Sequence, residues 1–185
     1  TRNSLDKLKA KKILLETGIL SPNLWTESAK KDILESDFPL IVKPHNSSGR
    51  RGVSFISEKK QLKPATEKAL KYGKKFLVEE AILGRHIDVS GFFANGIFYP
   101  AGQLERFFTS SPYCIPTWGY QPPLIENKKA EEIYQLLEIA SKALGITFGP
   151  VKADIIINET GSYIIEVTPR FHGEISTYYV ANQVY

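Results

Sequence analysis

The stretch VKADIIINETGSYIIEVTPRFHG, residues 151–173, constrains the fold of this chain more than any other. It reads as a β-hairpin in which Asn158 and Ser162 close a loop of Glu159, Thr160 and Gly161, the glycine taking the positive-φ position. In that register Asp154 lies opposite Glu166. Strand side chains alternate with period two, so Val151, Ala153, Ile155, Ile157, Tyr163, Ile165 and Val167 form one apolar face. The other face carries Lys152, Asp154, Glu166, Thr168 and Arg170. Two carboxylates facing each other across a strand pair repel, and the arrangement costs stability without a compensating charge. A bound metal would supply that charge, and so would Lys152 and Arg170.

The bulk properties bound the answer loosely. With 185 residues and 20.8 kDa the chain fits one domain, or one domain with subdivisions, and can bury a sizeable core. A net charge of +4 and a pI near 9.0 permit an anionic ligand. The lysines, however, are spread among acids, as on solvated helix faces, which argues against a nucleic-acid partner. Cys114 is the only cysteine, so no internal disulfide forms and a reducing compartment is expected. No run approaches the roughly 20 apolar residues of a membrane span, and the amino terminus lacks the layout of a signal peptide. A soluble cytoplasmic protein is the expectation. The chain starts at Thr1 and has no methionine, which fits a piece excised from a larger protein.

Taken in order, Ser4 can cap a first helix to about Thr17, with Leu5, Leu8, Ile13 and Leu15 as a partial apolar face and Gly18 as its stop. Lys7, Lys9, Lys11 and Lys12 then face solvent. Residues 19–25 read as an extended connection, and residues 27–34 as a short helical stretch. FPLIVKP, residues 38–44, is a strand, followed by HNSSGRRG and a second strand over residues 53–56. Backbone amides of such a loop can form a nest for phosphate oxygens, with Lys43, Arg50 and Arg51 adding charge. The alternative is an ordinary turn with solvated arginines. No P-loop signature is present.

Residues 57–75 are lysine-rich and helical after Pro64. A short strand, residues 76–78, leads into Glu79 and Glu80, which must point to opposite faces of an extended chain. Residues 86–94 form a strand that turns at Asn95-Gly96 and returns to about Leu104. Residues 105–123 read as a long connection rich in aromatic side chains, which either wall a pocket or pack on the core. Residues 128–144 form the clearest helix, with Ile133, Leu136, Leu137, Ala140 and Leu144 at helical spacing and Gly145 as its stop.

In this order the segments resemble the ATP-grasp superfamily. The resemblance rests on Asp6-Lys7, LIVKP at residues 40–44, SSGRRGV at 47–53, LVEEAILG at 77–84, and KADIII followed by YIIEVTPR. It implies an α+β ATP-grasp fold, two α+β subdomains whose antiparallel sheets clasp ATP. The expected division is residues 1–34 as amino-terminal helix and connection, 35–82 as a smaller lid subdomain with the phosphate loop, and 83–185 as a larger subdomain with the metal-binding hairpin.

The resemblance also implies site roles. Lys7 and Lys43 would touch the ATP phosphates, with Ser47, Ser48, Gly49, Arg50 and Gly52 folding over them. Glu79, Glu80 and the backbone of Ala81 and Ile82 would hold the adenine. Family members often carry Glu where His86 stands, to hold the ribose; Asp88, on the same face, can substitute. Asp154, Glu166 and Thr168 would ligate one or two Mg²⁺ ions, with Mn²⁺ able to substitute. Thr168 stands where the family commonly has Asn, a better ligand. Arg170 and Lys152 would be catalytic, stabilising an acyl phosphate.

The expected function is therefore an ATP-dependent ligase domain. It would phosphorylate a small-molecule carboxylate for attack by an amine or other nucleophile, together with the remaining domains of a parent protein. The competing expectation is a noncatalytic ATP-binding module.

Overall fold

In the computed structural model the described residues are 2–26, 32–45, 49, 51–109 and 116–172. They form two compact units. One comprises the described residues up to Ser21, Leu83–Phe108 and those from Pro116 onward; the other comprises the described residues of Pro22–Ile82, together with Thr109.

The smaller unit is built on a four-stranded antiparallel sheet of β1 (Leu24–Thr26), β2 (Leu40–Pro44), β3 (Ser54–Ile56) and β4 (Phe76–Glu80) in the order β1-β4-β2-β3. One helix, α3 (Leu62–Leu70), packs Ala65 and Ala69 against Leu40, Val42, Ile56, Phe76 and Val78, all buried. The alternating burial of LIVKP explains why β2 sits inside this sheet with only one face in the core. Of the predicted short helix at 27–34, residues 27–31 lie outside the described residues.

The larger unit holds a five-stranded antiparallel sheet: β5 (Arg85–Ala94), β6 (Ile97–Phe108), β7 (Pro116–Tyr120), β8 (Gly149–Asn158) and β9 (Gly161–Thr168), in the order β7-β6-β5-β8-β9. Helix α4 (Asn127–Ala143) buries Ile133, Leu137 and Ala140 against Ile87, Val89, Phe93, Val151, Ala153 and Ile155. At the Asn95-Gly96 turn both residues have positive φ, +51° and +78°, as a tight hairpin requires.

Several expectations needed correction. The first helix is two helices, α1 (Arg2–Leu5) and α2 (Lys7–Glu16), because Asp6 rather than Ser4 caps the longer one, accepting from the Leu8 and Lys9 amides. Its core side is Leu14 with Ala10 and Ile13, whereas Leu5, Leu8 and Leu15 are exposed and Lys11 is buried. Part of the aromatic connection is strand: Glu105 to Phe108 continue β6, and β7 pairs with them.

The 151–173 hairpin turns through two residues, with Asn158 pairing to Gly161, and an irregularity between Asp154 and Ile155 adds one residue, Ile165, to β9. The Asn158 side chain closes the tighter turn by accepting from the amides of Thr160 and Gly161 and the Thr160 hydroxyl. Asp154 still faces Glu166, but Ile164 rather than Tyr163 or Ile165 enters the core.

Candidate functional site

The face of the five-stranded sheet opposite α4 is polar, and its composition follows from register. Asp88 on β5 stands opposite Asp154 on β8, and Asp154 stands opposite Glu166 on β9, giving a row of three carboxylates on adjacent strands. One step along lies a second row, Ser90, Lys152 and Thr168. On the other side His86 pairs with Arg106 of β6.

Charge within the unit compensates these acids. Arg106 forms an ion pair with Oδ2 of Asp88, and Lys152 Nζ lies 2.7 Å from Oδ1 of Asp154. Lys152 is only 4% exposed, and a cation that deep requires a partner. His172, which follows β9, is the third contact. Its Nε2 is 3.3 Å from Asp154 Oδ1 and 3.6 Å from Asp88 Oδ1, and its Nδ1 is 2.9 Å from the Ser90 hydroxyl.

These contacts set the ionisation of the group. Burial alone would raise the Asp154 carboxyl, but the hydrogen bond from His172 and the charge and hydrogen bond of Lys152 outweigh it and hold it below the ordinary carboxylate range. Burial lowers the His172 imidazole; the hydrogen bond to Asp154 opposes this, and Lys152 and Arg106 lower it further. The cluster therefore combines two carboxyl groups, two basic side chains and an imidazole whose neutral form is favoured.

Would a hard divalent cation suit the residues expected to hold one? Glu166 and Asp154 supply oxygens from facing positions. The Thr168 Oγ1 is buried and has no hydrogen-bond partner among the described residues, so it is an oxygen awaiting a donor or a cation. The donor set fits such an ion. Arg170, just past β9, is exposed, and its guanidinium donates to the Phe171 carbonyl.

In the smaller unit, β2 and β4 bring together Lys43 and Glu79, whose Nζ and Oε2 are 2.6 Å apart with both side chains largely buried. Glu80, on the opposite side of the strand, accepts from the Asn23 amide. The Ala81 amide donates to the Pro39 carbonyl. Ile82 is half-buried. Gly52, with φ +76°, sits where a β-carbon would approach Pro44 Cγ to 2.8 Å and Tyr72 Cδ2 to 2.9 Å, so a glycine suits the place where the chain approaches β3. Gly49 is exposed, also with positive φ. Ser47, Ser48 and Arg50 lie outside the described residues. Lys7 belongs to the larger unit, as the first residue of α2.

Arg106, Ser90 and His172 were not anticipated from the sequence. Ser90 was the most legible, two residues beyond Asp88 on the same strand face. Counting back from Asn95-Gly96 without interruption pairs His86 with Glu105. The irregularity at Ser90/Gly91 adds Ala101 to β6 and brings Arg106 to that position instead.

Comparison with known proteins agrees with this architecture. A family model described as an ATP-grasp domain matches residues 36–178. The D-alanine--D-alanine ligase of Pediococcus pentosaceus is 28% identical over 177 residues, covering 88% of this chain and 48% of that protein. The enzyme of the same name from Saccharophagus degradans is 30% identical over 174 residues, covering 89% and 54%. The chain therefore spans about half the length of these relatives. Among solved structures, the L-amino acid ligase from Bacillus licheniformis superposes with a TM-score of 0.84 at 22% identity, over 98% of this chain and 44% of that one. Two antiparallel sheets, each backed by helix, and a family match over most of its length establish that this chain belongs to the ATP-grasp family.

Proposed function

We propose that this chain is the nucleotide-binding and phosphoryl-transfer portion of an ATP-dependent ligase that joins a carboxylate to an amine. The observation that carries the reading is the row Asp154–Glu166 beside Lys152, on a sheet face of an ATP-grasp domain. The relatives named D-alanine--D-alanine ligase and L-amino acid ligase favour an α-amino acid as the carboxylate.

In the proposed reaction a carboxylate oxygen forms a bond to the γ-phosphorus while the bond from that phosphorus to the β,γ-bridging oxygen breaks, and ADP leaves with the electron pair. The amine then bonds to the carbonyl carbon, loses a proton, and expels inorganic phosphate. Such chemistry asks the protein mainly to position groups and neutralise charge. Lys43 and Lys7 would hold phosphate oxygens, Glu79 with the backbone of Ala81 and Ile82 the adenine, and His86 the ribose, since Asp88 is committed to Arg106 and His172. Asp154, Glu166 and Thr168 would hold Mg²⁺, which when bound shields the phosphate oxygens from the attacking carboxylate. Lys152 and Arg170 would neutralise the acyl phosphate.

The test is Mg²⁺-dependent ADP release by the intact parent protein over a panel of amino acids offered as carboxylate and as amine. Asp154→Asn and Glu166→Gln should each lower turnover by at least about a hundredfold. Full turnover in either variant would remove the metal role. A second reading, a nucleotide-binding module without ligation, is favoured by the ammonium of Lys152 already lying on Asp154 Oδ1. ATP-dependent thermal stabilisation without ADP release from any pair in the panel would establish it.

A further inference from the structure

We propose that Asp88, Asp154 and His172 form a second divalent-cation site, sharing Asp154 with the pair Asp154–Glu166, in which the His172 nitrogen favours Mn²⁺ over Mg²⁺. The proposal deepens the preceding reading and rests on it for the anion that must accompany the ion.

Geometry is the first support. One carboxylate oxygen from each aspartate and one ring nitrogen lie within 4.8 Å of one another. The separations from Nε2, 3.3 Å to Asp154 and 3.6 Å to Asp88, are close to the edges of a coordination polyhedron, since bonds of about 2.1 Å at tetrahedral or octahedral angles set neighbouring ligands about 3.0–3.4 Å apart. Asp88 can contribute Oδ1 without surrendering its partner, because Arg106 holds the other oxygen.

The support behind the histidine is the second. A metal-binding imidazole characteristically gives its remaining N–H to a fixed acceptor, and here Nδ1 faces the buried Ser90 hydroxyl. A hydroxyl can either donate or accept. Without an ion, Nε2–H donates to Asp154 while Ser90 donates to Nδ1; with an ion, Nδ1–H donates to Ser90 and the Nε2 lone pair turns to the metal. No other movement of the ring is needed.

Charge decides when the site fills. The three carboxylates of the row against Arg106 and Lys152 leave one negative charge, so a divalent ion turns it into an excess of one positive charge and displaces the Lys152 ammonium from Asp154 Oδ1. An anion bearing several phosphates offsets that excess and gives Lys152 a new partner. Binding should thus be coupled to a polyphosphate. Nitrogen ligation favours later divalent ions over Mg²⁺, which prefers oxygen.

The experiment is Mn²⁺ electron paramagnetic resonance on the chain, with inorganic tripolyphosphate as the anion so that no adenine nitrogen contributes. Electron spin-echo modulation should show a directly bound ¹⁴N that becomes ¹⁵N when the protein is labelled with ¹⁵N-histidine. The chain has three histidines, so His172→Gln assigns the signal: it should vanish, with Mn²⁺ binding weakened about tenfold or more and Mg²⁺ binding little changed. Lys152→Gln should tighten Mn²⁺ binding in the absence of tripolyphosphate. Mn²⁺ bound without a histidine nitrogen overturns this proposal and leaves the Asp154–Glu166 reading intact. A signal that persists in His172→Gln overturns it also. Absence of Mn²⁺ binding under both conditions overturns this proposal and the metal role of the preceding section together. The isotope measurement needs no variant, so a folding defect in His172→Gln does not blunt the test.

Discussion

Asp88 and Asp154 stand directly opposite each other on neighbouring strands β5 and β8, and each carries its own cation, Arg106 on the first and Lys152 on the second. Glu166 extends the row to β9. The polar face is thus not an accumulation of negative charge awaiting a metal. It is a partly balanced array, two of its three carboxylates paired, whose cations must change partner if a cation and an anionic substrate bind together.

Lys152→Met tests that balance. It leaves the Asp154 carboxylate beside Asp88 and Glu166 without its buried ammonium, and should destabilise the protein by about 1–3 kcal/mol. The double variant Lys152→Met, Asp154→Asn should recover part of the loss. Urea unfolding of the parent, Lys152→Met, Asp154→Asn and the double variant gives the coupling; strictly additive effects would refute it.

The Lys43–Glu79 pair makes a parallel prediction in the smaller unit. Both partners are nearly buried, so Lys43→Met strands a carboxylate and should cost about 3–5 kcal/mol, whereas Lys43→Met with Glu79→Met should cost much less. Thermal shift with Mg²⁺·ATP supplies a second readout: stabilisation by nucleotide should be lost in both variants, since ATP would need Lys43 whatever Glu79 does.

Acid sensitivity should depend on Arg85 and Glu105, away from the polar face. Two hydrogen bonds of 2.7 and 2.6 Å from Arg85 lower the Glu105 carboxyl, against the opposing effect of burial. A depressed carboxyl contributes stability above its unfolded pKa, roughly 4.3, and loses it as pH falls through the folded value. Arg85→Gln should therefore be less stable than the parent at pH 7, by about 1 kcal/mol because Arg85 is half-exposed, with the gap closing in acid. Urea midpoints across pH would show it; a gap that widens in acid contradicts the assignment.

The edge strand β7 hangs on one glycine. A β-carbon at Gly119 would meet the Glu105 carbonyl oxygen at 2.3 Å, so Gly119→Ala should break the β6–β7 pairing. Trp118 stacks on Phe107 with centroids 4.4 Å apart and is 55% exposed, and should redden in fluorescence as the stack opens. Unchanged tryptophan emission would show that the strand accommodates the methyl group.

The sequence alone determined a good deal. Gly18, Asn95-Gly96 and Gly145 mark chain turns, LIVKP and KADIII are short apolar runs that form strands, and the spacing of Ile133, Leu137, Ala140 and Leu144 writes the face of α4 that enters the core. The facing of Asp154 and Glu166 was also legible, although the turn was read one residue too long and the extra residue at Ile165 cancelled the error. Only tertiary structure decided the rest. Each of the two hairpins carries one extra residue, Ala101 on β6 and Ile165 on β9, and such a residue exchanges the two faces of a strand beyond it. That exchange brings Arg106 rather than Glu105 to the polar face of β6, and on β9 it keeps Glu166 on the polar face and Val167 in the core, while the two-residue turn sets Ile164 in the core. Its position depends on how the whole sheet packs against α4, which local alternation does not encode. His172 likewise acquires its role from contacts with Ser90 and Asp154, 82 and 18 positions away, and no period in the sequence links the three.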